Sequence, residues 1–281
     1  MRPIKLLAVV SDFHCGSTVG LMPPQHTTLQ GNVIQATPFQ RWLWECWQDF
    51  TKFTTEVCGK DSMALVVNGD CIEGDHHGTK QIISRDTGDH KSIAIRCLKP
   101  LAERAAKAYM VVGTECHVNS GEVSIAHALG LQINPDFPAR DDEDGPPEGA
   151  YVFQRLSLNI NGVRIIARHH MPTSIRRNLA ASQLSIQLAE EQLEAANNNE
   201  EIPRVLLMAH RHKTGHYADD NGVALVTGAW QGLTNHGHKI VSPARCKPSG
   251  YILDWRGKKP GELPHVHFRR YNTPTGTTIK L

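Results

Sequence analysis

An α/β fold is predicted by two patterns that alternate along the 281 residues. Short apolar runs at residues 6–10, 63–67, 109–112 and 205–209 each stop abruptly at a polar or glycine-bearing turn. Between them lie longer segments whose apolar residues recur at three- and four-residue steps, the spacing of one helix face. Strands alternating with helices give sheets covered by helices. A third observation concerns function: Asp, Glu and His residues gather where the apolar runs end, and in α/β folds sites form beyond the carboxyl ends of strands.

Lys and Arg number 30 against 28 Asp and Glu, a formal net charge of +2. So even a balance does not by itself point to a nucleic-acid partner. Sixteen His stand out, because imidazole is the commonest metal ligand and titrates near neutral pH. The seven Cys include no Cys-x-x-Cys pair and fit neither a disulfide framework nor a thiolate zinc site, which points to a reducing compartment. The first apolar run is too short for a signal peptide or a membrane span, and no longer one follows. The expectation is a soluble, cytoplasmic protein without a membrane partner. A single domain is expected over 1–281, with motifs between 12 and 212 and a β-rich portion over 213–281.

The first strand, residues 6–10, delivers Asp12, Phe13 and His14 into a Cys15-Gly16-Ser17 turn. Residues 20–37 are rich in Pro, Gly, Gln and Thr without periodicity and read as a loop. Thr37-Pro38 combines a capping hydroxyl with a first-turn Pro, the start of a helix. Trp42, Leu43, Cys46, Trp47, Phe50 and Phe53 then mark one apolar face, which reads as packing rather than as an aromatic substrate platform. The second strand, 63–67, ends in Asn68-Gly69-Asp70 and leads to a polar loop with His76 and His77. Residues 90–107 read as a helix capped by Asp89 and kinked at Pro100. The third strand, 109–112, ends in Gly113-Thr114-Glu115-Cys116-His117, and 122–130 forms a short helix closed by Gly130.

The acidic, Pro-rich stretch 134–149 reads as a solvated loop. Residues 151–160 and 163–167 flank Asn161-Gly162, a hairpin signature whose turn needs positive backbone angles. Its second arm ends in Arg168-His169-His170. A helix over about 173–196 follows, then a strand at 205–209 ending in His210-Arg211-His212. Strands at 223–227, 251–255 and 265–271 complete the chain.

Five strand ends therefore carry candidate ligands: Asp12 and His14, Asp70, Glu115 and His117, His169 and His170, and His210 and His212. Oxygen and imidazole donors without Cys suit Mn, Fe, Zn or Ni. They are enough for two ions, with one carboxylate bridging.

Asp12-x-His14, Gly69-Asp70, a Gly-x-x-x-His motif from Gly113 to His117, a His at a strand end and His210-x-His212 resemble, in order and spacing, the calcineurin-like metallophosphoesterases. The resemblance spans roughly residues 5–215. It implies a four-layer sandwich of two mixed β-sheets flanked by helices, with two metals at the sheets' edge. It also implies that Asp12, His14 and His212 hold the first metal, Asp70 bridges, and His210 and His170 hold the second. His169 is the alternative ligand, or a hydrogen-bonding partner to the ligands. The third motif departs from the family's Gly-Asn-His-Asp or Gly-Asn-His-Glu. One alignment gives Glu115 the ligand role and His117 the catalytic one; the other pairs Thr114 with the family's Asn and leaves no catalytic His.

The activity implied is hydrolysis of phosphomonoesters or phosphodiesters, including those of nucleotides or nucleic acid. Mn is the favoured metal, with Fe, Zn, Ni or Mg as alternatives. Two ions about 3.5–4 Å apart clamp the phosphate and lower the pKa of a bound water to about 7, supplying hydroxide. His117 then protonates the leaving oxygen.

His76, His77 and Arg176 fall beside this site in sequence and suit a phosphate; the plainer reading of each is loop surface. The basic residues Lys239, Arg245, Lys247, Arg256, Lys258, Lys259, Arg269 and Arg270 could track a nucleic-acid backbone, although such residues are mostly solvated. His236 and His238 form a further His-x-His, but without an apolar run before it. Two other readings stay open. The altered third motif suits a non-catalytic binding or scaffold protein, and a single ion would suit a mononuclear hydrolase of another bond.

Overall fold

Successive side chains on a strand point to opposite faces, and the central strands of this chain are apolar on both. The computed structural model describes residues 3–75, 80–115, 121–135, 148–172, 180–234 and 247–274. Its strands are β1 (Leu6–Val10), β2 (Gln25–Thr27), β3 (Val33–Gln35), β4 (Met63–Asn68), β5 (Lys107–Val111), β6 (Val152–Phe153), β7 (Leu156–Ile160), β8 (Val163–Ala167), β9 (Pro203–Met208), β10 (Gly215–Ala218), β11 (Val223–Val226), β12 (Ser249–Asp254) and β13 (His265–Arg270). The α-helices are α1 (Pro38–Cys58), α2 (Thr87–Arg104), α3 (Gly121–Ala128) and α4 (Ala180–Asn197).

Six strands form one sheet in the order β13-β12-β1-β4-β5-β6, and five form a second in the order β10-β11-β9-β8-β7. Both are mixed. In the first, β1, β4, β5 and β6 are parallel while β12 and β13 pair antiparallel. In the second, β8, β9 and β11 are parallel while β7 and β10 pair antiparallel. Leu6, Ala8 and Val10 face the helices, in a core with Trp47, Ile93 and Ile125. Leu7 and Val9 face the other way, into a core between the sheets with Val66, Val205 and Leu207. Leu206 and Met208 face α4, against Leu184 and Leu188. The layers are helices, sheet, sheet and helix, the four-layer α/β sandwich expected.

The reciprocal cap of α1 explains its start. The Thr37 hydroxyl accepts from the Gln40 N–H, and Gln40 Oε1 accepts from the Thr37 N–H. Its aromatic face is core: Trp47 meets Phe13 edge-on at 5.2 Å and Trp230 at 4.8 Å.

Several expectations need correction. Asp86, not Asp89, caps α2, because its carboxylate accepts from the Gly88 N–H; Asp89 instead accepts from the Leu29 N–H. That helix ends at Arg104, since β5 already begins at Lys107. The stretch 20–37 contains the β2–β3 hairpin, held on α2 by that Leu29 contact and by Arg96 donating to Gln25 O. The arm expected over 151–160 is two strands in different sheets: β6 pairs with β5, and β7 with β8. The Asn161-Gly162 turn has the positive angles predicted, φ 55 and 75. The predicted helix start near 173, most of the acidic stretch (136–147), and His236, His238, Lys239 and Arg245 lie outside the described residues. Among the described residues no helix is long and apolar enough to cross a membrane.

Candidate metal centre

The site begins with backbone. Beyond β1 and β4 the two chains stay laced together: the N–H groups of Asp12, Phe13, His14 and Cys15 donate to the carbonyls of Gly69, Asp70, Asp70 and Cys71. Beyond β8 and β9, the Ala209 N–H donates to His169 O. Asp12, His14, Asp70, His210 and His212 all adopt positive φ, between 45 and 71. Side chains other than Gly disfavour this region, and such strain gathers where surrounding structure enforces it, often at functional sites. Among the described residues, the other non-glycine positions of this kind are Asn161 and Asn199, at a hairpin turn and a helix end.

These bends aim the side chains at one another. Ligand atoms of Asp12, His14, Asp70 and His212 lie within 4.8 Å of one another, and so do those of Asp70, His169 and His210. Asp70 belongs to both groups. His14 Nε2 is 3.0 Å from His212 Nε2 and 3.9 Å from Asp70 Oδ2, while His212 Nε2 is 3.5 Å from Asp12 Oδ1. In the second group His169 Nε2 is 3.1 Å from Asp70 Oδ2. The Asp12 carboxylate also accepts from the His210 N–H at 3.2 Å and from the Ser11 hydroxyl.

Two imidazoles are fixed from behind. His14 Nδ1 meets Glu73 Oε2 at 3.0 Å, and Glu73 in turn accepts from Gln231 Nε2 at 2.8 Å. His169 Nδ1 meets Asn68 O at 2.6 Å and donates to that carbonyl. Carboxylate or carbonyl contacts of this kind set the tautomer in which Nε2 carries the lone pair that a metal takes. The donor set of oxygens and imidazoles fits divalent Mn, Fe, Zn or Ni. Cys15 and Cys71, next to two of these residues, are buried in the helix-side core instead.

The sequence preference differs from this geometry at two points. His169, buried, joins Asp70 and His210; His170 is exposed, its ring 4.7 Å from that of His210 but outside the group. The Ala209–His169 backbone bond sets which of the two His turns inward. Glu115 is exposed and belongs to neither group. Thr114 stands there instead: its N–H donates to Asp70 Oδ1 at 2.7 Å, and its hydroxyl lies 3.2 Å from Asp70 Oδ2 and 3.0 Å from His210 Nδ1. Gly113 permits this approach, since an added Cβ would meet Asp70 N and Oδ1 at 2.3 Å. His117, His76, His77 and Arg176 lie outside the described residues.

Glu73, Gln231 and Glu122 were not singled out from sequence. Glu73 had a signal, an acid three residues past Asp70 in a glycine-bracketed turn. Glu122 had none. Fully buried in the first turn of α3, it accepts from the Gly113 N–H at 2.7 Å and the Cys71 N–H at 3.2 Å, clamping the two turns that flank Asp70.

So many buried charges shift one another. Burial raises the Asp12 carboxyl to about 6; Asp70 adds to this, and His169 and His14 oppose it. Burial works against protonated His169, but its hydrogen bond to Asp70 and the charges of Asp12 and Asp70 prevail and raise it to about 9. His14 also moves up, against burial, through Glu73 and the two Asp. Burial and the charge of Asp70 raise Glu122 to about 7. Such a cluster holds protons that a cation would displace.

No protein-family model and no curated protein matches the chain. Solved structures that it is similar to include Vacuolar Protein Sorting 29 from Cryptosporidium parvum, at 13% identity and a TM-score of 0.43 over 95% of this chain and 98% of that one. An archaeal phosphodiesterase aligns at 10% identity and a TM-score of 0.43, over 94% and 99%. A zinc complex of Vps29 from Entamoeba histolytica aligns at 13% identity and a TM-score of 0.39, over 96% and 99%.

Proposed function

We propose that this chain is a metal-dependent phosphoester hydrolase with two divalent ions. Asp12, His14, Asp70 and His212 would hold the first, and Asp70, His169 and His210 the second. The observation that carries the reading is Asp70, shared by two groups of oxygen and imidazole donors at the ends of strands from both sheets, with every donor residue but His169 on strained backbone. Supporting it are the fixed second nitrogens of His14 and His169. The motif order that resembles the calcineurin-like metallophosphoesterases points the same way.

Ions held there would supply positive charge to the phosphoryl oxygens and would lower the pKa of an attacking water to about 7. With Glu115 outside, two divalent ions against Asp12 and Asp70 leave a formal surplus of two positive charges, which attracts a phosphate. The chain's own groups orient this chemistry. Glu73 and the Asn68 carbonyl hold two imidazoles in one tautomer, and the N–H and hydroxyl of Thr114 brace Asp70 and His210. His117, as imidazolium, would give its proton to the leaving oxygen.

The test is elemental analysis of the purified chain, with turnover of p-nitrophenyl phosphate and bis(p-nitrophenyl) phosphate under Mn, Fe, Zn, Ni or Mg. Two ions per chain and metal-dependent turnover abolished by Asp70→Asn are expected. His117→Ala should keep both ions and lose roughly 100- to 10,000-fold in rate on an ester with a poor leaving group. Bound metal without turnover on any ester would favour the scaffold reading, and one ion a mononuclear site.

A further inference from the structure

We infer that the phosphoester is part of a single-stranded nucleic acid, which runs from the metal centre across the ends of β10, β12 and β13 to an aromatic ledge at Phe268. This rests on the hydrolase reading above. The first observation is a segregation of charge. Residues 203–281 contain four acids, Asp219, Asp220, Asp254 and Glu262. All four sit at the end of the sheets remote from the metal centre. Asp254 pairs with Leu6 at the start of β1, and Asp219 and Asp220 precede Val223, which pairs with Val205 early in β9. Glu262 lies in the connection from β12 to β13, whose Gly261 N–H donates to Asn161 O at the far hairpin turn.

The near end of the same strands carries Arg211, Lys247, Arg269 and Arg270 instead. Arg211 and Lys247 donate to neutral oxygens, of Pro172 and Asn272, so those contacts leave their charge uncompensated. Arg269 is neutralised by Asp49 at 3.0 Å. The basic residues Arg256, Lys258 and Lys259 are at the remote end, and Arg256 is paired with Asp254 and Asp61. The basic carboxyl-terminal region is therefore two populations, of which only one faces the centre.

The second observation is the ledge itself. Phe268, on an edge strand, is 44% exposed, and its ring stacks on buried Tyr251 at 5.2 Å and 19°. Tyr251 is pinned by its hydroxyl, which donates to Gly215 O at 2.9 Å on the edge strand of the other sheet. The Arg270 guanidinium lies over the Phe268 ring, 5.8 Å from its centroid. A part-exposed ring with a guanidinium over it is a platform on which single-stranded bases stack. In register, Phe268 pairs with Tyr251 and Tyr251 with Val9, so the ledge is two strands, about 10 Å, from β1, which ends at the centre. A small phosphomonoester would reach none of this.

Anisotropy of a fluorescent single strand of about a dozen nucleotides, deoxy or ribo, titrated with the full chain in chelator, reads binding without turnover. Phe268→Ala, and Phe268→Leu, which keeps the packing on Tyr251, should weaken it about 5- to 150-fold, the range expected for a lost base stack. Arg270→Gln should weaken it and flatten its salt dependence. With metal, Phe268→Ala should cut strand turnover at least about tenfold more than turnover of bis(p-nitrophenyl) phosphate. Strand binding no tighter than duplex binding, unchanged affinity in both Phe268 variants, or equal weakening toward heparin, which has no bases, would overturn the proposal. Absence of turnover on the small diester with every metal would sink the hydrolase reading instead, while the chelator titration still decides strand binding.

Discussion

Asp70 concentrates the residue-scale logic. One oxygen accepts from the Thr114 N–H, and the other lies 3.1 Å from His169 Nε2 and 3.9 Å from His14 Nε2. Of the two imidazoles converging on that oxygen only His169 is within hydrogen-bonding distance, and cations between them would complete the arrangement. The neighbouring pair His169 and His170 separates these readings. His169→Ala should leave one ion per chain by elemental analysis, whereas His170→Ala should keep two; the reverse result would restore the sequence preference for His170. Glu73 offers a second check at this scale. Its carboxylate orients His14, and removing such an orienting contact typically costs 10- to 100-fold in metal affinity. Glu73→Gln should therefore weaken metal binding by about that factor in competition with a chelating dye, while circular dichroism stays unchanged. Metal affinity unaffected by the substitution would mean that His14 is oriented by something else.

At the scale of elements, the turn after β1 works because its middle residue faces away from the site. Phe13 is fully buried and meets Trp47 edge-on, so the core anchors the turn while Asp12 and His14 project from it. Phe13→Ala should cost about 3–5 kcal/mol in denaturant unfolding, and should loosen metal binding although no ligand is touched. Unaltered metal affinity in the folded variant would show that the laced backbone alone holds the turn. This element was legible in sequence: an apolar run, an abrupt Asp, a spacer of the right type and a His. The strand ends carrying Asp70 and His210-x-His212 were legible for the same reason. What was not legible depended on partners distant in sequence. The inward choice of His169 is made by Ala209, forty residues on, and the role of Thr114 by Asp70 and Glu122. The β2–β3 hairpin had no periodicity to read, because most of its residues are exposed and its hold on α2 is polar.

At the scale of the whole molecule, the cluster joins two sheets. Asp12, His14 and Asp70 follow strands of the first, and His169, His210 and His212 follow strands of the second. Without metal, protons supply part of that join. A group whose folded pKa is raised contributes stability that is complete below its unfolded value and is lost as pH climbs through the folded one. For Asp12 the window runs from 3.8 to about 6, for Glu122 from 4.5 to about 7, and for His169 from 6.5 to about 9. All three have the same sign, so each weakens the metal-free protein as pH rises. Metal acts in the opposite sense, because it binds the deprotonated ligands and gains affinity over that range. The gap in Tm between metal-loaded and chelated protein should therefore widen from pH 6 to pH 8.5, a comparison that cancels titrations common to both forms. At a metal concentration of about 100 Kd the gap corresponds to about 2.7 kcal/mol, or roughly 5–10 °C for a chain of this size. Differential scanning fluorimetry with Mn and with chelator at the two pH values measures it directly. A gap that stays constant or narrows as pH rises would mean that cations and protons do not compete for these side chains, and the metal-centre reading would fall with it.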